Sequence, residues 1–197
     1  MYLRTIKKLI EPNNIEYTNA FFMDCHIACE AYFSRLMFIG LRMNGVSYKQ
    51  AMEATKESFL HIHDTLEKAL VLINKEKGPM VFKEENLKTG LQLFVDCSAG
   101  YRNKLQHGAI EEINDLNVLK LIIDINLSLI REIEFYLMKY FNQSAFDSPG
   151  KWGAKRIITI QEIDDIRKKF KLKPGSKIMS FEKSNELFSK INWQHKK

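Results

Sequence analysis

Arg102, Asn103 and His107 stand in the string Tyr101-Arg102-Asn103-Lys104-Leu105-Gln106-His107-Gly108. Arginine is a permanent cation whose planar donor fork fits phosphate in a bidentate way. Histidine can take or give a proton near neutral pH without large tuning. Asparagine can orient either neighbour by hydrogen bonding. A phosphate clamp, an orienting amide and an acid/base so close together form a compact kit for breaking a phosphodiester. The chemistry needs a base for the attacking hydroxyl, an acid for the leaving oxygen and positive charge for the phosphorane. His107 fits the first two roles and Arg102 the third. In RNA the 2′-hydroxyl is an internal nucleophile, so the expected products are a 2′,3′-cyclic phosphate and a 5′-hydroxyl.

One imidazole per motif is short of an acid and a base together. Helix geometry adds a second difficulty. At about 100° per residue, the five steps from Arg102 to His107 span roughly 140° around an ideal helix, whereas Asn103 and His107 share a face. Either the backbone is irregular there, or two copies of the chain supply complementary groups to one cleft. A homodimer answers both difficulties. The bland alternative is purely structural: Arg102 paired with a carboxylate, Asn103 capping a turn, and His107 as a cation at a helix C-terminus ahead of Gly108.

Other residues offer less. Cys25-His26-x-x-Cys29 places two thiols at helical spacing, but a structural zinc needs four ligands and the remaining cysteine, Cys97, is isolated. Buried apolar cysteine is the better reading. His61 and His63 point to opposite sides of a helix and do not chelate. There is no phosphate-cradling glycine loop, no Ser/His/Asp arrangement in a recognisable context and no paired-carboxylate signature. The expectation is no metal and no cofactor.

These residues must be positioned by helices. Apolar spacing predicts one from about Asn14 to Asn44, with Phe21, Phe22, Ile27, Ala28, Ala31, Tyr32, Leu36, Ile39 and Met43 in its stripe and Asn44-Gly45 as its stop. A second is expected from Ser47, its N-cap, to Lys75, carrying Phe59, Ile62, Leu66, Leu70 and Ile73 and ended by Gly78-Pro79. A third runs from Lys83 to Ser98. The motif then falls at a junction flanked by Gly100 and Gly108, both read as permitting unusual backbone angles. The fourth, from Glu112 to Phe141, has two apolar stripes. One contains Leu116, Leu119, Ile123, Leu127, Ile130 and Leu137; the other contains Ile122, Ile125, Leu129, Ile133, Tyr136 and Tyr140. A lone outer helix needs one stripe, so the second calls for cover by a partner chain or by the C-terminal segment. Ser148-Pro149-Gly150 reads as a boundary, followed by a helix over Thr159 to Lys171, a turn at Lys173-Pro174-Gly175-Ser176 and a last helix from Ser184 to Asn192. No strand alternation occurs, so the fold class is all-α. The organisation expected is a bundle over 1–147 and a small C-terminal extension over 148–197.

Composition bounds the class. The chain has 197 residues, 45% of them hydrophobic and 27% charged, which suits a soluble domain with a real core. Three cysteines, an odd count, point to the reducing cytoplasm. The N-terminus lacks the apolar run of a signal peptide, and no stretch is apolar enough to span a membrane. The net charge of +6 is uneven: residues 151–197 carry 13 Lys/Arg against 5 Asp/Glu, whereas residues 1–150 carry 17 against 19. Such a basic end attracts a polyanion, or is simply a solvated, lysine-rich terminus.

The motif and its helical setting resemble the HEPN superfamily (higher eukaryotes and prokaryotes nucleotide-binding). Its signature is Arg, often followed by Asn, then His after four to six intervening residues. Ala28-Cys29-Glu30-Ala31-Tyr32-Phe33 is similar to a segment many members carry in the first helix. The likeness covers about residues 14–142. It implies a four- to five-helix bundle with Arg102, Asn103 and His107 catalytic and Glu30 positioning Arg102, unless Glu30 simply pairs with Arg35 or Lys104. Lys104 is a further supporting candidate. Tyr101 offers a ring for stacking on a base or for packing. Members are commonly metal-independent endoribonucleases, hydrolases by class, of toxin–antitoxin pairs and antiviral defence. They act as homodimers, with RNA as substrate and an antitoxin or defence-system protein as possible partner. Others are non-catalytic nucleotide- or RNA-binding scaffolds or docking modules.

Overall fold

The structure is a computed structural model that describes residues 2–11, 13, 15–57, 69, 72–73, 85–147 and 177–196. These residues are mostly helical, with no strand among them. The fold class is all-α. No helix among them is long and apolar enough to cross a membrane.

The helices are α1 (Tyr2–Leu9), α2 (Asn19–Met43), α3 (Tyr48–Glu57), α4 (Glu85–Leu93), α5 (Ala99–Gln106), α6 (Leu116–Phe141) and α7 (Phe181–Lys190). A π-helical turn, Phe94–Ser98, joins α4 to α5, and a short 3-10 turn, Gln194–Lys196, ends the described chain. The residues fall into two compact units. One comprises Met1–Cys29, Glu85–Phe135 and Lys173–Lys197; the other comprises Glu30–Glu84 and Tyr136–Leu172.

In the first unit, α2 starts where Thr18 caps it: Thr18 Oγ1 accepts from Phe21 N–H at 3.1 Å. This is five residues later than apolar spacing alone suggests, and Ile27, expected in the inward stripe, is exposed. Asn19 then clips the loop ahead of α6. Its Nδ2 donates to Ile113 O (3.2 Å) and its Oδ1 accepts from Ile113 N–H (2.9 Å). Asp115 caps α6 through Asn117 N–H at 2.8 Å. Helix α1, unanticipated from the sequence, buries Ile6. The Arg131 guanidinium of α6 donates to Ile10 O just beyond it, through both Nε and Nη2.

Both stripes of α6 are buried within the chain itself. From Leu119 through Leu137 their members are at most 5% exposed, although Leu116 is open to solvent and Tyr140 is half-buried. The C-terminal segment reaches this helix. Glu132 is fully buried and accepts from Gln194 N–H and His195 N–H, both at 3.1 Å, and from the His195 ring at 2.8 Å. Of the two covers considered for α6, this contact belongs to the C-terminal segment. Nearby, Trp193 packs so tightly on Gly90 that a Cβ there would lie 2.7 Å from the indole. The last helix begins at Phe181, three residues before the expected Ser184, because Ser180 supplies the cap to Lys183 N–H.

The second unit contains the rest of α2, with Tyr32, Phe33, Leu36, Ile39 and Met43 buried. Helix α2 ends as expected at Asn44-Gly45. Gly45 has φ +88°, and Val46 N–H and Gly45 N–H return to Leu41 O and Arg42 O, a Schellman closure. Ser47 caps α3: Gln50 N–H donates to its Oγ, and that hydroxyl in turn donates to Gln50 Oε1 at 2.8 Å. Arg35 ties down the chain after α6, donating to Ala145 O (3.0 Å) and Asp147 O (2.7 Å). Outside the described residues lie Phe59, Ile62, His61, His63, Leu66 and Leu70, the Gly78-Pro79 stop, the Lys83 start, the Ser148-Pro149-Gly150 boundary, the helix expected over Thr159 to Lys171 and the following turn.

Candidate functional site

The motif lies on α5, a direct continuation of α4 through the π turn. The expected junction is therefore helical, not a loop. In the turn Ala99 N–H bonds to Phe94 O, one residue further back than in an α-helix. Residues Ile178 and Met179 dock against it: Met179 N–H donates to Asp96 O at 2.9 Å. Gly100 is required here for close approach and not for its backbone angle. A Cβ on it would meet Ile178 Cγ1 at 2.6 Å, and its φ is not in the left-handed region.

Helix α5 is regular up to its last bond, His107 N–H to Asn103 O at 3.0 Å, and His107 is the C-cap. Gly108 follows with φ +67°. Its N–H returns to Leu105 O (3.2 Å) and Ala109 N–H returns to Lys104 O (2.9 Å), the paired closure of a Schellman motif. Gly108 thus does need the freedom the sequence assigned to it. Nothing lies within 4 Å of a Cβ placed there, so Gly108→Ala meets only the left-handed backbone cost. About 1 kcal/mol is expected, read as a melting temperature lower by roughly 2–4 °C.

Arg102 is half-buried, while Asn103, Lys104 and His107 are exposed. Arg102 Nη1 donates to Asn103 Oδ1 at 3.1 Å, so guanidinium and amide come together. His107 lies one turn beyond Asn103 on the same face. Tyr101 is half-buried. Burial first, then the negative fields of Cys97, Asp115 and Glu182, push its phenol up. Glu30 is half-buried on α2 and is the first residue of the second unit. Two hollows of the first unit, about 390 and 250 Å³, are lined around Phe188 and Trp193 and around Gln92 and Met179; the motif borders neither.

Behind the motif is a buried polar chain that spacing along the sequence does not reveal. His26 Nδ1 lies 3.3 Å from Ser98 Oγ, and Ser98 Oγ donates to Asn126 Oδ1 at 2.6 Å. All three residues are at most 1% exposed. The His26 ring stacks on Phe94, with centroids 5.3 Å apart and planes 8° from parallel. Burial, and then the charge of Arg102, push its pKa down to about 3. One signal was available: His26 falls on the stripe Phe22, Cys29, Phe33 of α2, which marks it as buried. Its partner Ser98 is 72 positions away. Cys25, Cys29 and Cys97 are buried thiols outside any disulfide, and burial drives the Cys25 thiol up to about 12. Among the described residues no group of three or more His, Cys, Asp or Glu is arranged to hold a metal ion.

Comparison of the chain with protein-family models, with curated proteins and with solved structures gives no match.

Proposed function

We propose that the chain is a metal-independent endoribonuclease of the HEPN type, acting in a toxin–antitoxin or antiviral defence setting. The observation that carries this reading is the form of α5. It is a regular helix that presents a phosphate-binding guanidinium, hydrogen-bonded to Asn103, and ends on a solvent-exposed imidazole. His107 takes the 2′-hydroxyl proton as the oxygen attacks phosphorus, and Arg102 holds the non-bridging oxygens as charge builds. The 5′-oxygen leaves with a proton from a second imidazole, giving a 2′,3′-cyclic phosphate and a 5′-hydroxyl.

The second imidazole comes from a second copy of the chain. The backbone irregularity lies upstream, at Phe94–Ser98, and the stretch from Arg102 to His107 is regular. The roughly 140° between these two side chains therefore stands, in keeping with Arg102 being half-buried and His107 exposed. A homodimer supplying complementary groups resolves it. The basic C-terminal quarter adds attraction for RNA. The test is incubation of RNA with the full chain in EDTA, wild type beside His107→Ala and Arg102→Ala. Cleavage confined to wild type supports the reading, and equal cutting by all three overturns it. A second reading, a non-catalytic RNA- or nucleotide-binding scaffold, is favoured by one observation: Asn103 Oδ1 is engaged by Arg102 and not by His107. RNA binding without cleavage selects that reading.

A further inference from the structure

A side chain can seat directly on a helix backbone only where the helix carries no Cβ. On α5 that place is Gly100. A Cβ there would lie 2.6 Å from Ile178 Cγ1 and 3.1 Å from its Cδ1, too close for any real side chain. The residues on either side, Ala99 and Tyr101, both carry a Cβ. Ile178 is itself held in place. Met179 N–H donates to Asp96 O at 2.9 Å, and Ser180 caps α7 immediately after.

This slot matters because of the turn before it. A π turn takes in one residue more than an α turn of the same rise, and α geometry is by far the commoner. The natural competitor of the turn at Phe94–Ser98 is therefore the same sequence closed to α. Closing it slips α5 by one residue. Ala99 then stands where Gly100 stands, Tyr101 where Arg102 stands, and Arg102 where Asn103 stands. The Ala99 methyl falls into Ile178. Ser98 resists the same slip, because Cys97 would replace it beside His26 and Asn126. Between Gly108 and the clipped Ile113 the chain is not helical and takes up the slip. The two registers differ most at Arg102. Its present place is half-buried, with Nε screened from solvent, whereas the place of Asn103 is exposed.

We infer that Ile178, seated on Gly100, is a positioning residue for Arg102: it admits α5 only in the register that keeps the guanidinium at its half-buried place. The consequence for catalysis rests on the RNA-cleaving reading; the register does not.

The experiment compares two variants of the full chain with wild type. Gly100→Ala closes the slot in both registers. Ala99→Gly combined with Gly100→Ala keeps the composition and moves the slot by one residue, so that Ile178 seats only in the slipped register. The readouts are the melting temperature and the solvent exchange of the Arg102 Nε–H proton, followed by nitrogen-15 NMR. Gly100→Ala is expected to melt lower than wild type. The paired variant is expected to regain part of that loss, yet to exchange the Arg102 proton about tenfold faster than Gly100→Ala. Its kcat on RNA is expected to fall about 10²-fold below wild type. A contact that only adds packing gives the opposite order, with exchange slowing as melting temperature recovers. A paired variant that exchanges no faster than Gly100→Ala overturns the inference. If the paired variant does not fold, Ile178→Ala decides. It leaves only a Cβ, 3.6 Å from the Gly100 Cβ position, an ordinary contact that admits the slipped register. Arg102 exchange about tenfold faster than in wild type is then expected, and unchanged exchange overturns the inference. If wild type cuts no RNA at all, the cleavage reading falls, while Arg102 exchange still decides the register.

Discussion

His107→Ala lowers RNA cleavage by about 10²–10⁴-fold, the usual worth of a positioned acid/base, and leaves RNA binding nearly intact. His107 is exposed at the end of α5, so its truncation removes little packing and the variant folds normally. Arg102→Ala loses as much cleavage and weakens binding too, because the guanidinium serves the bound phosphate as well as the phosphorane. Arg102→Lys does not restore it, since a point charge lacks the planar fork. The sharper experiment mixes the two inactive chains. If one copy contributes Arg102 and the other His107, a dimer of one Arg102→Ala chain with one His107→Ala chain contains one complete pairing. Cleavage then rises on mixing above that of either component, yet stays well below wild type, because the restored pairing has one imidazole where the full cleft has two. A mixture as inactive as its components counts against a shared cleft, and full activity in a strictly monomeric protein excludes it. The assay is a gel of labelled RNA in EDTA, with the product ends identified as cyclic phosphate.

Glu132→Ala destabilises the chain by about 3 kcal/mol. The carboxylate is fully buried and satisfies two backbone N–H groups and the His195 ring. Removing it strands those donors, and each orphaned buried group costs about 1–3 kcal/mol. Glu132→Gln retains one acceptor oxygen and loses about half as much. Acid sensitivity follows with a definite sign. Burial by itself would raise the Glu132 pKa. The His195 ring and the N–H groups of Gln194 and His195 outweigh burial and hold it below the ordinary carboxylate value of 4.5. A depressed folded-state pKa means that this stabilisation is complete above about pH 4.5 and drains away as pH falls through the lower folded value. Urea midpoints measured from pH 7 down to pH 3 therefore converge for wild type and Glu132→Gln. Midpoints that already coincide at pH 7 would refute the assignment.

Much of the helical frame is legible in the sequence because its signals are local. Apolar spacing found α2 and α6, and their true starts are set by Thr18 and Asp115, whose hydroxyl and carboxylate capture the first free N–H groups. Asn44-Gly45 and Gly108 announce left-handed closures that glycine makes cheaply. The exposed positions of Asn103 and His107 follow from the polar character of that helical turn. Long-range features are not legible. Helix α1 is short, with three basic residues in eight, and its anchor is Arg131 reaching Ile10 O from 121 positions away. Gly100 looks like a hinge until Ile178 is seen against it. His26 beside Cys25 suggests a weak metal pattern, whereas its true partners, Ser98 and Asn126, lie on other helices. The two stripes of α6 signal unusual burial without naming the cover, which at Glu132 comes from the chain's own C-terminal residues.

The wide turn at Phe94–Ser98 is a phase setter. One surplus residue in the turn sets everything after it back by roughly 100° relative to the same sequence in an uninterrupted α-helix. The compass bearing of Arg102 is thus written several positions before Arg102 itself. Relaxing that turn to an α-helix with every residue kept would swing the guanidinium about a quarter of the way around the helix axis, with every side chain of the motif left unaltered.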